Sequence, residues 1–581
     1  MTEEQSGNCA VCKIPAKQFC SACKSVSYCG AEHQRAHWKT HKSECRPFKI
    51  AKSDELGRFL IATRDIKADQ VVFTEAPLVV GPKWYLSKID ETNPVMPCVG
   101  CFTPCRVDGH KCPRCKWPVC SIDCAGLQNP KLHGVECSVL MLGNGPASRD
   151  IKSLNDYYRS DSLFVLKCLL LQVQNQKKWT ELMDMQSHEE ERLDTELYQE
   201  AQDRIVTYLH NNYLQKLTHL ENKKKEKFLQ HNGPDILHKI CGIIETNYMC
   251  INLPSGMELS GVFYIACMME HTCHPNCYFQ FDHRNGFKIS VVAGRDIRKG
   301  EHLQIMYSNM LWGTQMRHEH LQITKHFLCS CERCRDPTEF KTYFSGMICV
   351  GDVGKECGGI QLPKDPLSSK TDWMCDTCPM VISGEEVRFL LTQINEDVEQ
   401  MLATKPTIRQ LEALIEKLSQ FLHPNHYQIF ALKHSLIQLY GTQSGFTLQL
   451  LTEQQLDKKM KMCKDLLAIC DKLDPFTIRL SIYVGIILFE MHTVLREEAR
   501  RILEKTNTTK EEVAPPPVAV VGANAGRALE KFNLARDYLK RAVRVLAKEL
   551  DSVVGKKLND TIEKAIQELD YLIVSKFAAN K

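Results

Sequence analysis

The chain has 581 residues, with 74 basic and 70 acidic side chains and a formal net charge of +4. This near balance argues against a dedicated nucleic-acid-binding protein, which would concentrate basic residues on one face. Hydrophobic residues make up 43% of the chain, which is enough for several buried cores, and the length predicts several domains.

Residues 1–8 are polar, so we expect no secretory signal and thiols that stay reduced, in the nucleus, the cytoplasm or both. The longest uncharged apolar stretch, residues 480–489, is about half the length needed to cross a bilayer. We therefore expect a buried helix there and no membrane span.

A first ladder of cysteines and histidines occupies residues 9–45, with the spacing Cys-x2-Cys-x7-Cys-x2-Cys-x5-Cys-x3-His-x7-His-x3-Cys. Because a Cys-x2-Cys turn presents two thiolates to one metal, these eight ligands satisfy two tetrahedral zinc ions. A disulfide framework is the alternative, and it requires an oxidising compartment. Interleaved pairing predicts one ion on Cys9, Cys12, Cys29 and His33, and another on Cys20, Cys23, His41 and Cys45.

Residues 60–80 are rich in β-branched side chains and alternate in polarity, which predicts two strands around a turn at 67–70. A second ladder follows at 98–137 and is therefore inserted into a β-rich domain. The same pairing rule predicts zinc on Cys98, Cys101, Cys120 and Cys124, and on Cys112, Cys115, His133 and Cys137.

The remaining pattern alternates between helix and strand. Apolar spacings of three and four predict helices over about 153–228, and strand signals at 278–282 and 287–294 flank a turn and predict a hairpin. Amphipathic helices are predicted from about residue 385 to the end, and the Pro-, Gly- and Ala-rich stretch 513–526 is predicted to be a loop. The clearest helical segments are 408–421, 426–440, 453–473 and 478–500.

A further candidate zinc site consists of Cys349, Cys357, Cys375 and Cys378. The pair Cys375-x2-Cys378 has the spacing of a zinc knuckle, whereas Cys349 and Cys357 are more widely spaced. Buried free cysteines are the alternative interpretation.

Four short motifs in this order resemble the SET domain of the SMYD family of lysine methyltransferases. They are Gly57-Arg58-Phe59-Leu60, Glu270-His271-Thr272-Cys273-His274-Pro275-Asn276, the segment Gly300-Glu301-His302-Leu303-Gln304-Ile305-Met306-Tyr307, and Cys329-x-Cys331-x2-Cys334. In that family a MYND zinc finger interrupts the SET domain and a helical domain follows it, so the resemblance covers essentially the whole chain. The extra N-terminal finger is similar to the arthropod-type SmydA branch.

The resemblance implies a multidomain α+β fold in seven segments. These are an N-terminal MYND-type finger (1–48), the first part of a β-rich SET domain (49–97), a second MYND-like finger inserted in it (98–137), a helical SET insert (138–240), the SET core (241–318), a post-SET and cysteine-rich region (319–384), and an α-helical, TPR-like C-terminal domain (385–581).

The resemblance also implies a site that binds S-adenosylmethionine and methylates a lysine of a histone or another protein. Tyr307 is the implied catalytic residue, and about five to six zinc ions are expected in all. The implied post-SET zinc ligands are Cys273, Cys329, Cys331 and Cys334, and the implied cofactor-binding residues are Gly57, Arg58, Asn247, Glu270, His271, Tyr307 and Phe327.

Three residues depart from the family pattern. Phe59 replaces a glycine of the cofactor loop, Glu270 replaces an asparagine, and Lys325 stands where relatives often have a channel tyrosine. If the loop needed a positive φ, a phenylalanine would be strained there. These departures leave open a second function, a catalytically inactive SET/MYND scaffold that recruits partners in transcriptional regulation. For either function we expect proline-rich peptides at the N-terminal finger, no membrane and no direct nucleic-acid binding.

Overall fold

The structure is a computed structural model that describes residues 7–20, 26–82, 95–106, 108–143, 160–224, 228–351, 357–508, 518–550 and 552–577. The chain divides into two compact units. The first comprises Met1–Glu270, Phe279–Leu303 and Thr324–His326, and the second comprises His271–Tyr278, Gln304–Ile323 and Phe327–Lys581. Among the helices described, none has the length and apolar character that a membrane crossing requires.

The first unit contains small antiparallel sheets. Val79–Pro82 pairs with Glu258–Val262, and Val71–Glu75 pairs with Lys288–Ala293. The strand Gly57–Ala62 pairs with Phe48–Ser53, and its Leu60 carbonyl accepts the Leu303 N–H at 2.9 Å. The remaining strands up to residue 282 are Gly7–Asn8, Pro15–Ala16, Gln18–Phe19, Ser27–Tyr28, Val95–Pro97, Pro104–Arg106, Met249–Asn252, Glu270–His271 and Cys277–Asp282.

A helical layer packs against these sheets around one buried cluster. Ser160–Gln174 is apolar on most sides, and Phe164 and Leu166 at its centre are fully buried, so this helix forms the middle of the core. Gly81 lies against Phe164, where a Cβ atom would come within 2.4 Å of the ring. The helices of this unit are Ala31–Cys45, Ala125–Gln128, Pro130–Gly134, Val135–Leu140, Ser160–Gln174, Gln176–Met183, Glu189–Arg192, Glu196–Ala201, Gln202–Val206, Thr207–Leu209, His210–Leu214, Gln215–Lys224, Pro234–Asn247 and Ala266–Met268.

The second unit joins a four-stranded sheet to long helices. The sheet has the order Met347–Ile348, Ile360–Pro363, Trp373–Cys375 and Val381–Ile382. Capping boxes at Ser383, Thr407 and Thr452 begin three of the helices. Besides the strand Gln304–Ile305, the other elements are the helices Thr314–Lys325, Glu332–Arg335, Gly384–Ala403, Ile408–Leu418, Tyr427–Leu439, Glu453–Leu473, Ser481–Thr508, Val518–Leu546 and Val553–Phe577.

The structure confirms most of the predicted elements and corrects two. The four C-terminal helices and the strands on either side of residues 283–286 are present. The stretch 60–80 holds parts of three strands, Gly57–Ala62, Val71–Glu75 and Val79–Pro82, and they pair with other segments. The predicted loop 513–526 is wrong from Val518 onward, where a helix begins, while residues 153–159 and 509–517 lie outside the described part of the chain.

Candidate functional site: zinc clusters and a tyrosine–histidine pair

The first zinc set of the N-terminal finger comes together as the spacing predicts. The ligand atoms of Cys9, Cys12, Cys29 and His33 lie within 4.8 Å of one another. Nδ1 of His33 lies 2.9 Å from Sγ of Cys29, and the Cys12 and Cys29 sulfurs are 3.5 Å apart. Tetrahedral zinc with bonds near 2.3 Å requires sulfurs about 3.8 Å apart, so the donors fit this metal.

The second set of this finger is described only in part. Sγ of Cys20 and Sγ of Cys45 are 3.5 Å apart and both side chains are buried. His41 is also buried and stacks on His37 with ring centroids 5.7 Å apart. Cys23 lies outside the described residues, so its position stays a prediction.

The second ladder forms two complete clusters. In the first, the sulfurs of Cys98 and Cys124 are 3.8 Å apart. In the other, Nε2 of His133 lies 3.4 Å from Sγ of Cys115. In each cluster the ligand atoms lie within 4.8 Å of one another. The first cluster consists of Cys98, Cys101, Cys120 and Cys124, and the second of Cys112, Cys115, His133 and Cys137.

A buried carboxylate orients the histidine ligand of this finger. Nδ1 of His133 lies 3.1 Å from Oε2 of Glu136, so the ring donates to the carboxylate while Nε2 faces the cysteines. Lys167 Nζ donates to the same oxygen at 2.8 Å, from the helix Ser160–Gln174. Such carboxylate–histidine pairs raise the basicity of the metal ligand. The sequence pattern did not identify Glu136, because only its three-residue spacing from His133 marks it.

The predicted post-SET cysteines form another cluster, which lies in the second unit. Sγ of Cys273 and Sγ of Cys334 are 3.5 Å apart. Buried Arg317 donates to the Cys334 sulfur at 3.5 Å, as expected beside thiolates that carry negative charge. All four ligand atoms lie within 4.8 Å, in Cys273, Cys329, Cys331 and Cys334.

An arginine–glutamate–arginine network surrounds that cluster. Arg317 and Arg333 each place a nitrogen 2.8 Å from Oε2 of Glu339, and Ser345 donates to Oε1 at 2.5 Å. Burial alone would raise the pKa of Glu339, but the charges of Arg317 and Arg333 outweigh it and lower that pKa to about 2. The carboxylate therefore stays ionised in the interior.

A further cysteine cluster, formed by Cys349, Cys357, Cys375 and Cys378, lies at the four-stranded sheet. The sulfurs of Cys349 and Cys378 are 3.6 Å apart, as are those of Cys357 and Cys375. Backbone N–H groups donate to two of these sulfurs, from Gly351 at 3.4 Å and from Thr377 at 3.3 Å. These donors and the thiol separations fit zinc better than free buried cysteines.

Tyr307 and His271 are joined by a backbone hydrogen bond in the second unit. The Tyr307 N–H donates to Nδ1 of His271 at 2.9 Å, which leaves the proton of the neutral ring on Nε2. Nε2 lies 3.4 Å from the sulfur of the zinc ligand Cys273. The Phe327 ring lies 5.8 Å from the His271 ring and 6.5 Å from the Tyr307 ring. Three predicted site residues thus form one aromatic group beside a zinc cluster.

The first unit holds Gly57 and Arg58. Gly57 has φ of 65°, a left-handed conformation that glycine adopts without strain. Arg58 forms a salt bridge to Asp184 and donates to the Tyr264 hydroxyl at 3.1 Å, and that hydroxyl donates to Asp184 at 2.6 Å. Hydrogen bonds from Tyr264 and Arg58 lower the pKa of Asp184. The sequence motif includes Arg58 but not its two partners, Asp184 and Tyr264, which lie far along the chain.

Asn247 ends a helix in the first unit. Its Nδ2 donates to the carbonyls of Gln186 at 2.9 Å and Ile243 at 2.8 Å. Since both amide protons are used, its contact with any ligand would be through Oδ1.

Phe59 and Glu270, two of the three departures from the family pattern, both contact His302. Nδ1 of His302 donates to both oxygens of Glu270, at 2.9 and 3.0 Å, and the His302 ring stacks on Phe59 with centroids 4.6 Å apart. Phe59 is buried within a strand and does not have a positive φ, so the strain considered above does not arise. His302 is a residue that sequence reasoning missed.

Lys325 belongs to the first unit and acts as a helix cap there. Its Nζ donates to the carbonyls of Thr246 at 2.6 Å and Glu245 at 3.3 Å, at the end of the helix Pro234–Asn247, and lies over the Tyr248 ring. A cation is favourable at this negative end of the helix dipole. Burial lowers the pKa of Lys325 to about 8.

Two family models match the chain. The SET domain model matches residues 57–308, and the MYND finger model matches residues 9–45. The SET domain-containing protein SmydA-8, isoform A, of Drosophila melanogaster is 29% identical over 366 residues, which cover 60% of this chain and 69% of that protein. By these matches the chain holds a SET domain and a MYND finger and is similar to the SMYD family. Its similarity to SmydA-8 supports the SmydA branch.

Two further matches are more distant. Histone-lysine N-methyltransferase ASHR1 of Arabidopsis thaliana is 22% identical over 442 residues, which cover 74% of this chain and 83% of that protein. A crystal structure of the SET domain of LSMT, bound to lysine and AdoHcy, aligns over 92% of both chains with 10% identity and a TM-score of 0.27, which is too low to carry a conclusion. The matches confirm the predicted SET domain and N-terminal MYND finger, and the structure confirms the helical C-terminal region.

Proposed function

We propose that this chain is an S-adenosylmethionine-dependent protein-lysine N-methyltransferase that acts on a histone or another protein. The observation that carries the proposal is the hydrogen bond between the Tyr307 backbone and His271, in a chain whose residues 57–308 match the SET domain. The relative ASHR1, named as a histone-lysine N-methyltransferase, also supports it.

The reaction needs a neutral amine in line with the transferred methyl group. A free lysine has a pKa near 10.4, so deprotonating it at pH 7 costs about 4 to 5 kcal/mol. An apolar environment favours the neutral amine, and alignment can contribute on the order of 7 to 11 kcal/mol. The Tyr307 hydroxyl is suited to orienting the amine, because it hydrogen-bonds without carrying charge. S-adenosylmethionine, when bound, supplies the methyl group from its sulfonium centre.

We propose cofactor contact for the residues that the family motifs imply. His271, Phe327 and Tyr307 have aromatic rings, which suit a cationic sulfonium. Glu270 offers negative charge, and the other proposed contacts are Gly57, Arg58 and Asn247.

The proposal is tested by methyl transfer from labelled S-adenosylmethionine to histones and to a panel of other proteins, with the zinc-loaded chain. We expect transfer by the natural chain and its loss in Tyr307→Phe, which keeps the ring and removes the hydroxyl. Tyr343→Phe is the matched control, because Tyr343 packs on His423 and takes no part in the proposed site. If Tyr307→Phe retained full activity, Tyr307 would not be the catalytic residue.

A scaffold without catalytic activity is the second candidate, and the coupled departures Phe59 and Glu270 favour it. The N-terminal finger would then recruit proline-rich peptides, for which Trp38, 40% exposed, offers an aromatic contact. Calorimetry with S-adenosylmethionine separates the two candidates. Binding that is lost in Asn247→Ala supports the enzyme, whereas no binding at high micromolar cofactor supports the scaffold. Since the zinc clusters need reduced thiols, we also propose residence in the nucleus or the cytoplasm.

A further inference from the structure

A small cavity lies in the second unit at the beginning of the helix Thr314–Lys325. Its volume is about 50 Å³, and Trp373, Leu391 and Tyr427 are buried residues of its lining. Three prolines also line it, Pro337, Pro363 and Pro366. No ligand of the cysteine clusters described above and none of the proposed catalytic residues belongs to this lining.

Two hydrogen-bond donors of the lining lack partners in the part of the chain that the structure describes. Trp373 is 1% exposed, and its Nε1 has no hydrogen-bond acceptor. Nε2 of Gln315, in the first turn of the helix, is buried and likewise has none. An indole N–H can only donate, and a buried unpaired donor costs free energy. The lining therefore requires a hydrogen-bond acceptor.

The start of the helix also lines the cavity, and its Thr314 N–H donates to Ser345 Oγ at 3.2 Å. Gly313 precedes the helix, and a Cβ atom there would come within 2.7 Å of Ser345 Oγ and 2.8 Å of the Tyr427 ring. The positive end of the helix dipole therefore approaches these residues closely. Asn395 accepts at Oδ1 from the Tyr427 hydroxyl at 3.1 Å and from Gln428 at 2.5 Å. These bonds use only its oxygen and do not involve the N–H groups of its amide.

The charged residues of the lining are two acidic ones, Glu319 and Glu339, and one basic one, Arg388, so the lining offers no excess of positive charge for an anion. Glu339 lines the cavity, but both of its oxygens are taken by Arg317, Arg333 and Ser345. Exposed Glu319 adds an acceptor at the rim, where it would repel a carboxylate. A neutral amide could accept from Trp373 and Gln315 through its carbonyl and donate from its nitrogen to Glu319. The volume suffices for a group of a few non-hydrogen atoms.

We propose that this cavity binds a primary amide, the side chain of a glutamine or asparagine of a docked polypeptide. The amide enters toward Trp373, and the methylene groups of its side chain pack against the prolines. The proposal does not depend on methyl transfer, so either can fail without the other.

The test follows the indole N–H signals of the full chain, which has six tryptophans, by nuclear magnetic resonance after nitrogen-15 labelling. Trp373→Phe identifies the signal of Trp373. Acetamide and acetate are probes of matched size, and each is titrated to about 100 mM because so few atoms give weak binding. We expect acetamide to move the Trp373 signal downfield with saturation, and acetate to bind at least about tenfold more weakly.

Variants then examine the second donor. Gln315→Met keeps the side-chain length without the donor, and it should weaken acetamide binding about three- to tenfold. Gln322→Met, an exposed position on the same helix, should not change it. A blocked Gly-Gln-Gly peptide should bind better than Gly-Glu-Gly.

Each other outcome overturns the proposal. Tighter binding of acetate would make the cavity an anion site, and no shift with either probe would leave it a water site. Binding of acetamide without binding of the glutamine peptide would restrict the ligand to free small amides.

Discussion

The backbone N–H of Tyr307 donates to Nδ1 of His271, whose other ring nitrogen lies 3.4 Å from the zinc-ligand sulfur of Cys273. The tyrosine is thus positioned by a ring that also contacts the cysteine cluster. Because a hydrogen bond of this kind fixes the backbone and not the hydroxyl, its loss should affect alignment more than binding.

We predict that His271→Ala lowers kcat for methyl transfer about tenfold to a hundredfold, with little change in the KM for the protein substrate. His271→Asn places an acceptor near the position of Nδ1 and should restore part of the rate. Steady-state kinetics on the zinc-loaded variants measures both. Equal rates for the Ala variant and the natural chain would show that this bond does not position Tyr307.

The cluster in the four-stranded sheet is predicted to hold one zinc ion. Native mass spectrometry should find five to six zinc ions in the natural chain and one fewer in Cys375→Ser. Cys105→Ser is the control, because Cys105 is a buried cysteine outside the clusters and donates to the Met96 carbonyl. An unchanged zinc count in Cys375→Ser would mean that these cysteines are free.

Glu136 is predicted to tune the metal of the second finger. Glu136→Gln removes the charge that His133 Nδ1 and Lys167 contact, so zinc affinity at this site should fall about 10- to 100-fold. Competition with a chelator measures the affinity. Asp123→Asn, an exposed change in the same finger, should leave it unchanged.

Phe59 and Glu270 are predicted to be energetically coupled through His302. Phe59→Leu and Glu270→Gln should give a non-additive double-mutant cycle in urea unfolding, with a coupling energy of about 0.5 to 1 kcal/mol. Phe59→Leu combined with Glu301→Gln should be additive, because Glu301 bonds to Arg295 instead. If both cycles were additive, Phe59 and Glu270 would not be energetically coupled and the prediction would be wrong.

Glu339 is predicted to give the second unit a pH-dependent stability. Its pKa is lowered from 4.5 to about 2, so its stabilisation of about 3 kcal/mol is present above pH 4.5 and is lost as the pH falls toward 2. The advantage of the natural chain over Glu339→Gln in urea unfolding should shrink over that range. Because Arg317 also contacts the zinc ligand Cys334, zinc release is followed in parallel with a zinc indicator and the comparison is made where both proteins hold the same amount of zinc. Exposed Glu332→Gln should show no such trend.

The parts of the site that were predictable from sequence are those in which chemistry fixes the spacing. Zinc sites often take two ligands from one short turn, so the spacing of Cys98 and Cys101 predicted their cluster. The periodic spacing of apolar residues likewise predicted the helix Glu453–Leu473. His302 and Asp184 were missed, because their partners are set by strand and helix packing and no local pattern marks them.

The helix that begins at Val518 shows the limit of local propensity. Its Gly526 costs about 1 kcal/mol relative to alanine, and the preceding prolines suggested a loop. The buried face formed by Ala528, Phe532 and Ala535 belongs to the main core of the second unit. Tertiary packing therefore outweighed the glycine, as it often does in helices.

The positions of the cysteines along the chain also set the order in which the zinc-ligand sets are completed during synthesis. The N-terminal finger has all its ligands once Cys45 has emerged, and the second ladder is complete at Cys137. Cys273, by contrast, must wait for Cys334, 61 residues later. A nascent chain stalled between these two cysteines would carry complete finger ligands and an unpaired thiol beside His271, so the segment around Tyr307 is among the last of the metal-dependent parts to mature.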